Sequence, residues 1–422
     1  MTEVSVNGVP HKPLLRPSGE GISADRLRII VQDSHLNFLI GAGTPSAFFG
    51  LLGNVEEALT QVAESTADDS VKAIARASLQ AYFFDEVLTP NLKVVERHAD
   101  AEDVLTSYAE FLRTINRILL KRHSSMLAKQ ANIFTTNVDL VFEVAFEQMG
   151  IDFSDGFSGK IRPRFDLADF NTVRLRMASR FEQRSEVPVF NLVKIHGSAG
   201  WLQEHRLAGN RTEIVFDHGL SLIVEVQEKL NAARADLIAI NDRNEVDANA
   251  LIAKVSVSAV PASVIAFTGA YDKLGIVNPD KRKFATTVLN ETYYELIRRF
   301  ANELEKENSV LFVHGFSFRD EHLRDVVIRA ARSNPTLQVI VFGYSRGGLA
   351  EYQALIPETD VKNSNILFVV PPEPDHGDSE VKATLDVVNA TYFAPVIADK
   401  FPTPDQRIEL DIRMPSGGEP DV

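Results

Sequence analysis

The stretch Leu36-Asn37-Phe38-Leu39-Ile40-Gly41-Ala42-Gly43-Thr44 limits what this chain can fold into more than any other. Four of the five residues from Leu36 to Ile40 are apolar and the run stops at glycine, as in a strand buried within a parallel sheet. Gly41 and Gly43 let the backbone turn sharply and approach a ligand, because neither carries a Cβ. In a doubly wound sheet, this first strand-to-helix turn is where backbone N–H groups hold a dinucleotide pyrophosphate. The six-residue glycine fingerprint is incomplete here, since Ser46 occupies its third glycine position. A glycine turn after any strand looks similar, so the rest of the chain must decide.

The same pattern recurs. Short apolar runs at 133–136, 189–195, 310–313, 339–342 and 366–370 read as strands, and 263–267 reads as a strand or the approach to one. Helical spacing separates them. Residues 25–34 form a short amphipathic helix, and about 53–131 is a helical insertion after the first strand. Asn54 caps the start of that insertion through Glu57, and a stripe of Val104, Tyr108, Phe111, Leu112, Ile115, Ile118 and Leu119 packs into the core. Leu88-Thr89-Pro90-Asn91 marks a helix break, because proline cannot continue the helix before it. Helices are expected at 140–149, 220–251, 291–308 and 320–333, the second of these within another insertion at about 205–260. Residues 151–187 read as an irregular surface excursion. The tails, 1–21 and 401–422, carry Pro and Gly without apolar period; the second is expected to be disordered. Strands alternating with helices give an α/β class: a Rossmann-like, doubly wound, mostly parallel sheet spanning 22–400.

Composition then removes function classes. The 422 residues suffice for one large domain with insertions or for two domains. There is no cysteine, which excludes disulfides, a thiol nucleophile, iron–sulfur clusters and cysteine-ligated zinc. Lys and Arg number 44 against 58 Asp and Glu, a formal charge of −14; such a field repels nucleic acid, which binds mainly through phosphate neutralisation. No apolar run reaches the roughly 18–20 residues that span a bilayer. The amino terminus lacks the basic-then-apolar order of a signal peptide, so a cytoplasmic location is the expectation.

In doubly wound sheets ligands bind at the carboxyl ends of the strands, and the unusual residues cluster there: Gly41-Ala42-Gly43, Asn137-Val138-Asp139, His196-Gly197 and Gly315-Phe316-Ser317. His196 is of the residue type that takes or gives a proton near neutral pH. Asn137 can hold a ribose hydroxyl or a water without changing charge, and Asp139 can accept from an amide or hydroxyl. Taken singly, each fits a structural role better: a strand-end histidine is usually structural, and Thr135-Thr136-Asn137 could cap the next helix. The functional reading rests on their joint placement.

That placement resembles the sirtuin (silent information regulator) superfamily. Gly41-Ala42-Gly43, Thr135-Thr136-Asn137-Val138-Asp139, Lys194-Ile195-His196-Gly197 and Gly315-Phe316-Ser317 look like its NAD-binding motifs, in the same order. The likeness covers the sheet-forming segments from about 30 to 375. It implies that Gly41, Ala42, Gly43 and Thr44 form the pyrophosphate turn. Gly315, Phe316 and Ser317 would lie beside the adenosine half. Asn137 would hold the nicotinamide ribose and a water, Val138 and Asp139 the carboxamide, and His196 would be the base. Protein-deacylating sirtuins carry a four-cysteine zinc module and an Ile-Pro-Asp-Phe-Arg type stretch. This chain has neither; Ser46-Ala47-Phe48-Phe49-Gly50-Leu51-Leu52 stands in the second place. It is more similar to the sirtuin-like NADases of bacterial antiphage defence. Size and layout resemble the subunit that pairs with a HerA-type ATPase.

The likeness therefore implies an NAD+ hydrolase that releases nicotinamide and ADP-ribose as a defence effector. NAD would be its substrate, with no zinc or other metal, and it would work as a homo-oligomer or under the control of that ATPase partner. Two other classes fit the same residues: an NAD-dependent deacylase, and a non-catalytic NAD or ADP-ribose sensor that serves as an assembly subunit. Release of O-acyl-ADP-ribose would mark the first, and tightly bound but intact ligand the second.

Overall fold

Ser23 starts the first helix, its hydroxyl accepting from Arg26 N–H at 3.2 Å. The computed structural model describes residues 22–50, 55–122, 127–180, 184–206, 211–256, 259–277, 288–357, 361, 363–373 and 380–397, with the backbone of two short strands ahead of them. Those strands, β1 (Val4–Val6) and β2 (Val9–His11), pair antiparallel within the segment read as a loose tail. Helix α1 (Ala24–Asp33) leads into β3 (His35–Ile40). The first insertion then runs through α2 (Val55–Glu64), α3 (Asp69–Phe83), a π-helical turn at Phe84–Leu88, α4 (Pro90–Val95) and α5 (Glu102–Leu120). Pro90 sits at the first position of α4, where a missing N–H costs nothing. Asn91 closes the break: its Nδ2 donates to the carbonyls of Val87 and Leu88 at 2.7 and 3.1 Å. The Asn54 cap and the tail from 401 lie outside the described residues.

The chain returns to the sheet as β4 (Gln130–Thr135), α6 (Val141–Met149) and β5 (Phe153–Ser154). Short strands follow: β6 (Phe157–Ser158), β7 (Arg164–Phe165), β8 (Arg174–Met177) and β9 (Arg184–Val187). Next come β10 (Val189–Lys194), β11 (Gly197–Arg206), β12 (Arg211–Phe216), α7 (Ser221–Ala233), α8 (Ala248–Lys254), α9 (Ala262–Tyr271) and β13 (Leu274–Ile276). Helix α10 (Val288–Glu305), β14 (Ser309–His314), α11 (Glu321–Ser333), β15 (Gln338–Phe342), α12 (Leu349–Leu355) and β16 (Ile366–Val369) complete the sheet. A helical segment at 385–397 closes over one face.

Seven strands form the central sheet in the order β16–β15–β14–β3–β4–β10–β5, and every neighbouring pair is parallel. Strand order reverses between β3 and β14: β4 and β10 extend one way, β15 and β16 the other. Apart from two-residue β5 and one row of asparagines, the strands are apolar on both faces, as two-sided cover demands. Phe38, Ile40, Ile133 and Phe312 pack against α1, α5, α6 and the 385–397 segment; Leu39, Phe134, Leu311 and Val313 pack against α10 and α11. The fold class expected from the sequence is the one observed.

One polar seam crosses this sheet. Asn37, Asn132 and Asn191 occupy one register on adjacent strands. Asn132 donates to Asn37 Oδ1 at 2.8 Å and to Glu303 Oε2 at 3.2 Å, and accepts from Asn191 Nδ2 at 2.8 Å.

Three expectations change. Residues 263–267 lie in α9, not in a strand: Val264, Phe267, Ala270 and Tyr271 are its buried face, and a short apolar run alone does not separate helix from strand. The excursion at 151–187 is partly built in. Strand β5 joins the central sheet, and β6 and β7 join β11, β12 and β13 in a second, antiparallel sheet. The helix read over 220–251 is interrupted between Ala233 and Ala248 by two 3-10 turns and irregular chain. The two insertions pack on each other, α2 and α3 against Val246, Ala248 and Leu251.

Candidate functional site

The glycine turn lies at the point where strand order reverses, the place where open α/β sheets bind ligands. Gly41 N–H donates to His314 O at 3.0 Å, Gly43 N–H to Gly315 O at 2.9 Å and Thr44 N–H to Gly41 O at 3.0 Å. The ends of β3 and β14 thus touch backbone to backbone. A Cβ on Gly41 would lie 2.5 Å from Gly315 O. Gly315 has φ +65°, and a Cβ there would lie 2.3 Å from Thr44 N. The glycines are required first by this contact, and the three N–H groups are already engaged. Exposed Ala42 and the half-buried Gly43 and Thr44 are what the turn presents outward. Beyond it, Phe48 and Phe49 N–H both reach Pro45 O at 2.9 Å, a single helical turn.

Thr44 also bonds sideways. Its Oγ1 lies 2.8 Å from His314 Nδ1, and His314 Nε2 lies 2.8 Å from Ala383 O. A carbonyl only accepts, so in the neutral ring Nε2 carries the proton and Nδ1 accepts from the Thr44 hydroxyl. Burial holds this imidazole below its usual pKa, which favours that neutral form.

The loop after β4 carries Asn137, Val138 and Asp139, all buried. Thr135 Oγ1 donates to Ile40 O at 2.8 Å and accepts from Asn137 N–H at 3.0 Å. Asn137 Nδ2 donates to Gly41 O at 3.2 Å, while its Oδ1, equally buried, has no hydrogen-bond partner. Val138 packs into the core that joins the first insertion to α7 and α9, and its carbonyl accepts from Ala199 N–H at 2.7 Å. Asp139 Oδ1 accepts from Val141 N–H at 3.0 Å at the start of α6. Burial raises the Asp139 pKa against the pull of Lys194, Val141 N–H and Asn137. Asn91 Oδ1 accepts from Leu140 N–H at 2.9 Å, tying the helical insertion to this loop.

His196 stands where β10 turns into β11. Gly197 has φ +80°, and a Cβ there would meet Gly275 O at 2.1 Å, so this glycine is fixed by the second sheet. His196 Nε2 lies 3.2 Å from Asp320 Oδ2, each side chain 16 % exposed, without the alignment of a hydrogen bond. Asp320 caps α11, accepting from Leu323 N–H at 3.2 Å. The Tyr293 ring lies 5.8 Å from the imidazole; burial, then the charges of Asp320 and Glu56, push its phenol pKa up.

These contacts close a ring. The β14 loop meets the β3 loop at Gly315–Gly43, and the β3 loop meets the β4 loop at Gly41–Asn137. The β4 loop meets the start of β11 at Val138–Ala199, and His196 returns to the β14 side at Asp320. The four clusters read from the sequence are therefore brought together. Within them, Phe316 turns inward and packs edge-on to Phe318 at 5.1 Å, whereas Ser317 is exposed and lines a cleft of about 80 Å³ with Tyr344, Ser345, Gly348, Glu351 and Tyr352.

Sequence reasoning missed His314, Asp320, Tyr293 and the buried pair Lys194–Glu143, 3.2 Å apart. A charged residue at the end of an apolar strand, as in Val189-Phe190-Asn191-Leu192-Val193-Lys194, was the one available signal. Among the described residues, no group of three or more His, Asp or Glu side chains is arranged to hold a metal ion, and no helix is long and apolar enough to cross a membrane. A scan against protein-family models gave no match, and neither did a search of curated proteins.

Proposed function

We propose that this chain is an NAD+ glycohydrolase, cleaving the nicotinamide N-glycosidic bond to give nicotinamide and ADP-ribose. The observation that supports this best is the closed ring of strand-end loops at the reversal of strand order. It carries a buried asparagine with an unpartnered Oδ1 on one of these loops and a part-buried histidine on another. Nicotinamide leaves NAD+ as a neutral molecule, so the chain need only steady the cationic ribose and present water to C1′. Asn137 Oδ1 accepts from that water or a ribose hydroxyl. The C1′–N bond breaks, water oxygen bonds to C1′, and His196, 3.2 Å from Asp320 Oδ2, takes the proton. A role in antiphage defence, self-association and control by a HerA-type ATPase belong to the same proposal.

The test is to incubate the purified chain with NAD+ and follow nicotinamide and ADP-ribose, alone and with such an ATPase. Asn137→Ala and His196→Ala are each expected to lower turnover about 10²–10⁴-fold, the usual worth of a positioned acid–base group, with thermal unfolding still cooperative. Undiminished cleavage by both variants would sink the assignment. Intact NAD+ that stays bound for hours would mean a sensor.

A further inference from the structure

We propose that Lys194 and Glu143 act as a positioning pair for the glycosidic cleavage, an inference that rests on the reading above. Lys194 ends β10, two residues before His196, and its side chain is 2 % exposed. Its ammonium runs beneath the loop after β4. There it donates to Asp139 O, lies 3.5 Å from Asn137 O, and reaches Glu143 Oε1 on α6 at 3.2 Å. One cation therefore ties the strand that presents His196 to the loop that presents Asn137 and to the helix behind it. Because the carbonyls at 137 and 139 are held by one cation, the Asn137 side chain keeps its bond to Gly41 O and its buried Oδ1 keeps no partner within the chain.

Stability alone does not account for the pair. Burying an ammonium and a carboxylate costs desolvation that an apolar pair of similar size avoids. Among the described residues, Lys194 is also the one cation opposing the raised pKa of Asp139, Glu143 and Asp155, and Glu143 Oε2 has no hydrogen-bond partner. Such a group is kept for geometry, and displacements near 1 Å at a reacting centre cost on the order of 100-fold in rate.

Three variants separate positioning from folding: Lys194→Met, Lys194→Met with Glu143→Leu, and Lys194→Arg. Nicotinamide release is measured as kcat and KM, alongside thermal unfolding and amide hydrogen exchange at 137–139. Lys194→Met leaves a buried carboxyl without its cation and should unfold earlier than wild type. The double variant should regain that stability yet stay about 100-fold low in kcat, with KM for NAD+ within about 3-fold and faster exchange at 137–139; Lys194→Arg should recover part of the rate. A double variant with wild-type kcat, or one changed in KM alone, overturns the proposal. If the wild type itself releases no nicotinamide, the functional reading fails while exchange still decides the pair. Faster exchange in the double variant supports it, and unchanged exchange overturns it.

Discussion

At Gly315 a single missing Cβ lets two strand ends meet. Its φ of +65° and the 2.3 Å that a Cβ would leave to Thr44 N both exclude a side chain. Gly315→Ala should lose about 1–2 kcal/mol from the left-handed backbone, with the steric clash in addition. The measurement is the urea midpoint; a shift worth less than about 0.5 kcal/mol would mean that the turn relaxes freely. The glycines, Asn137 and His196 were legible in the sequence because their residue types are unusual at the ends of apolar runs. What they touch was not legible. The bonds of Gly41 and Gly43 to β14, and of Asp139 to α6, join residues far apart in sequence or depend on loop geometry. His314 and Lys194 read as the ends of strands, and only the third dimension shows Thr44, Ala383 and Glu143 around them.

Among the elements, six of the seven strands of the central sheet were legible because parallel strands covered on both faces must be apolar throughout, while two-residue β5 was not. The second sheet was not. Strand β11 follows β10 after the two-residue turn at Ile195 and His196, and its buried half is Gly197-Ser198-Ala199-Gly200-Trp201, so no apolar run announces it. Helix α9 failed for the opposite reason, its five apolar-rich residues fitting either structure. The asparagine seam belongs to this scale because it joins three strands and α10. Replacing Asn132 with Leu would orphan Asn37 Oδ1 and Asn191 Nδ2. At about 1–3 kcal/mol for each unsatisfied group, Asn132→Leu should cost about 2–6 kcal/mol of unfolding free energy in chemical denaturation. A neutral result would show that the seam is dispensable for pairing.

For the molecule as a whole, two buried groups pull stability in opposite directions with pH. Desolvation pushes Glu143 from 4.5 up to about 7, against the charge of Lys194. A raised folded pKa gives stability that is full below about 4.5 and is lost as pH rises through about 7. His314 is depressed below 6.5, chiefly by burial, so its contribution is full above 6.5 and is lost as pH falls through its folded pKa. Just below pH 6.5 the two slopes oppose each other. Asp139 and Asp155, also raised by burial, act in the same sense as Glu143, so Glu143→Gln should weaken the falling slope and let unfolding free energy rise more steeply with pH than in the wild type; equal slopes in a denaturant series would contradict the assignment.

The ring of loops draws on residues 41, 137, 196 and 320, and its His314 connector also needs Ala383. A ribosome adds about 5–20 residues per second, so Gly41 emerges on the order of tens of seconds before Asp320. Until then the ring cannot close, and a chain still being translated lacks the contacts that hold the four loops together. A chain that stops short of Asp320 should likewise leave the ring open, so that only molecules translated past it hold all four loops in place.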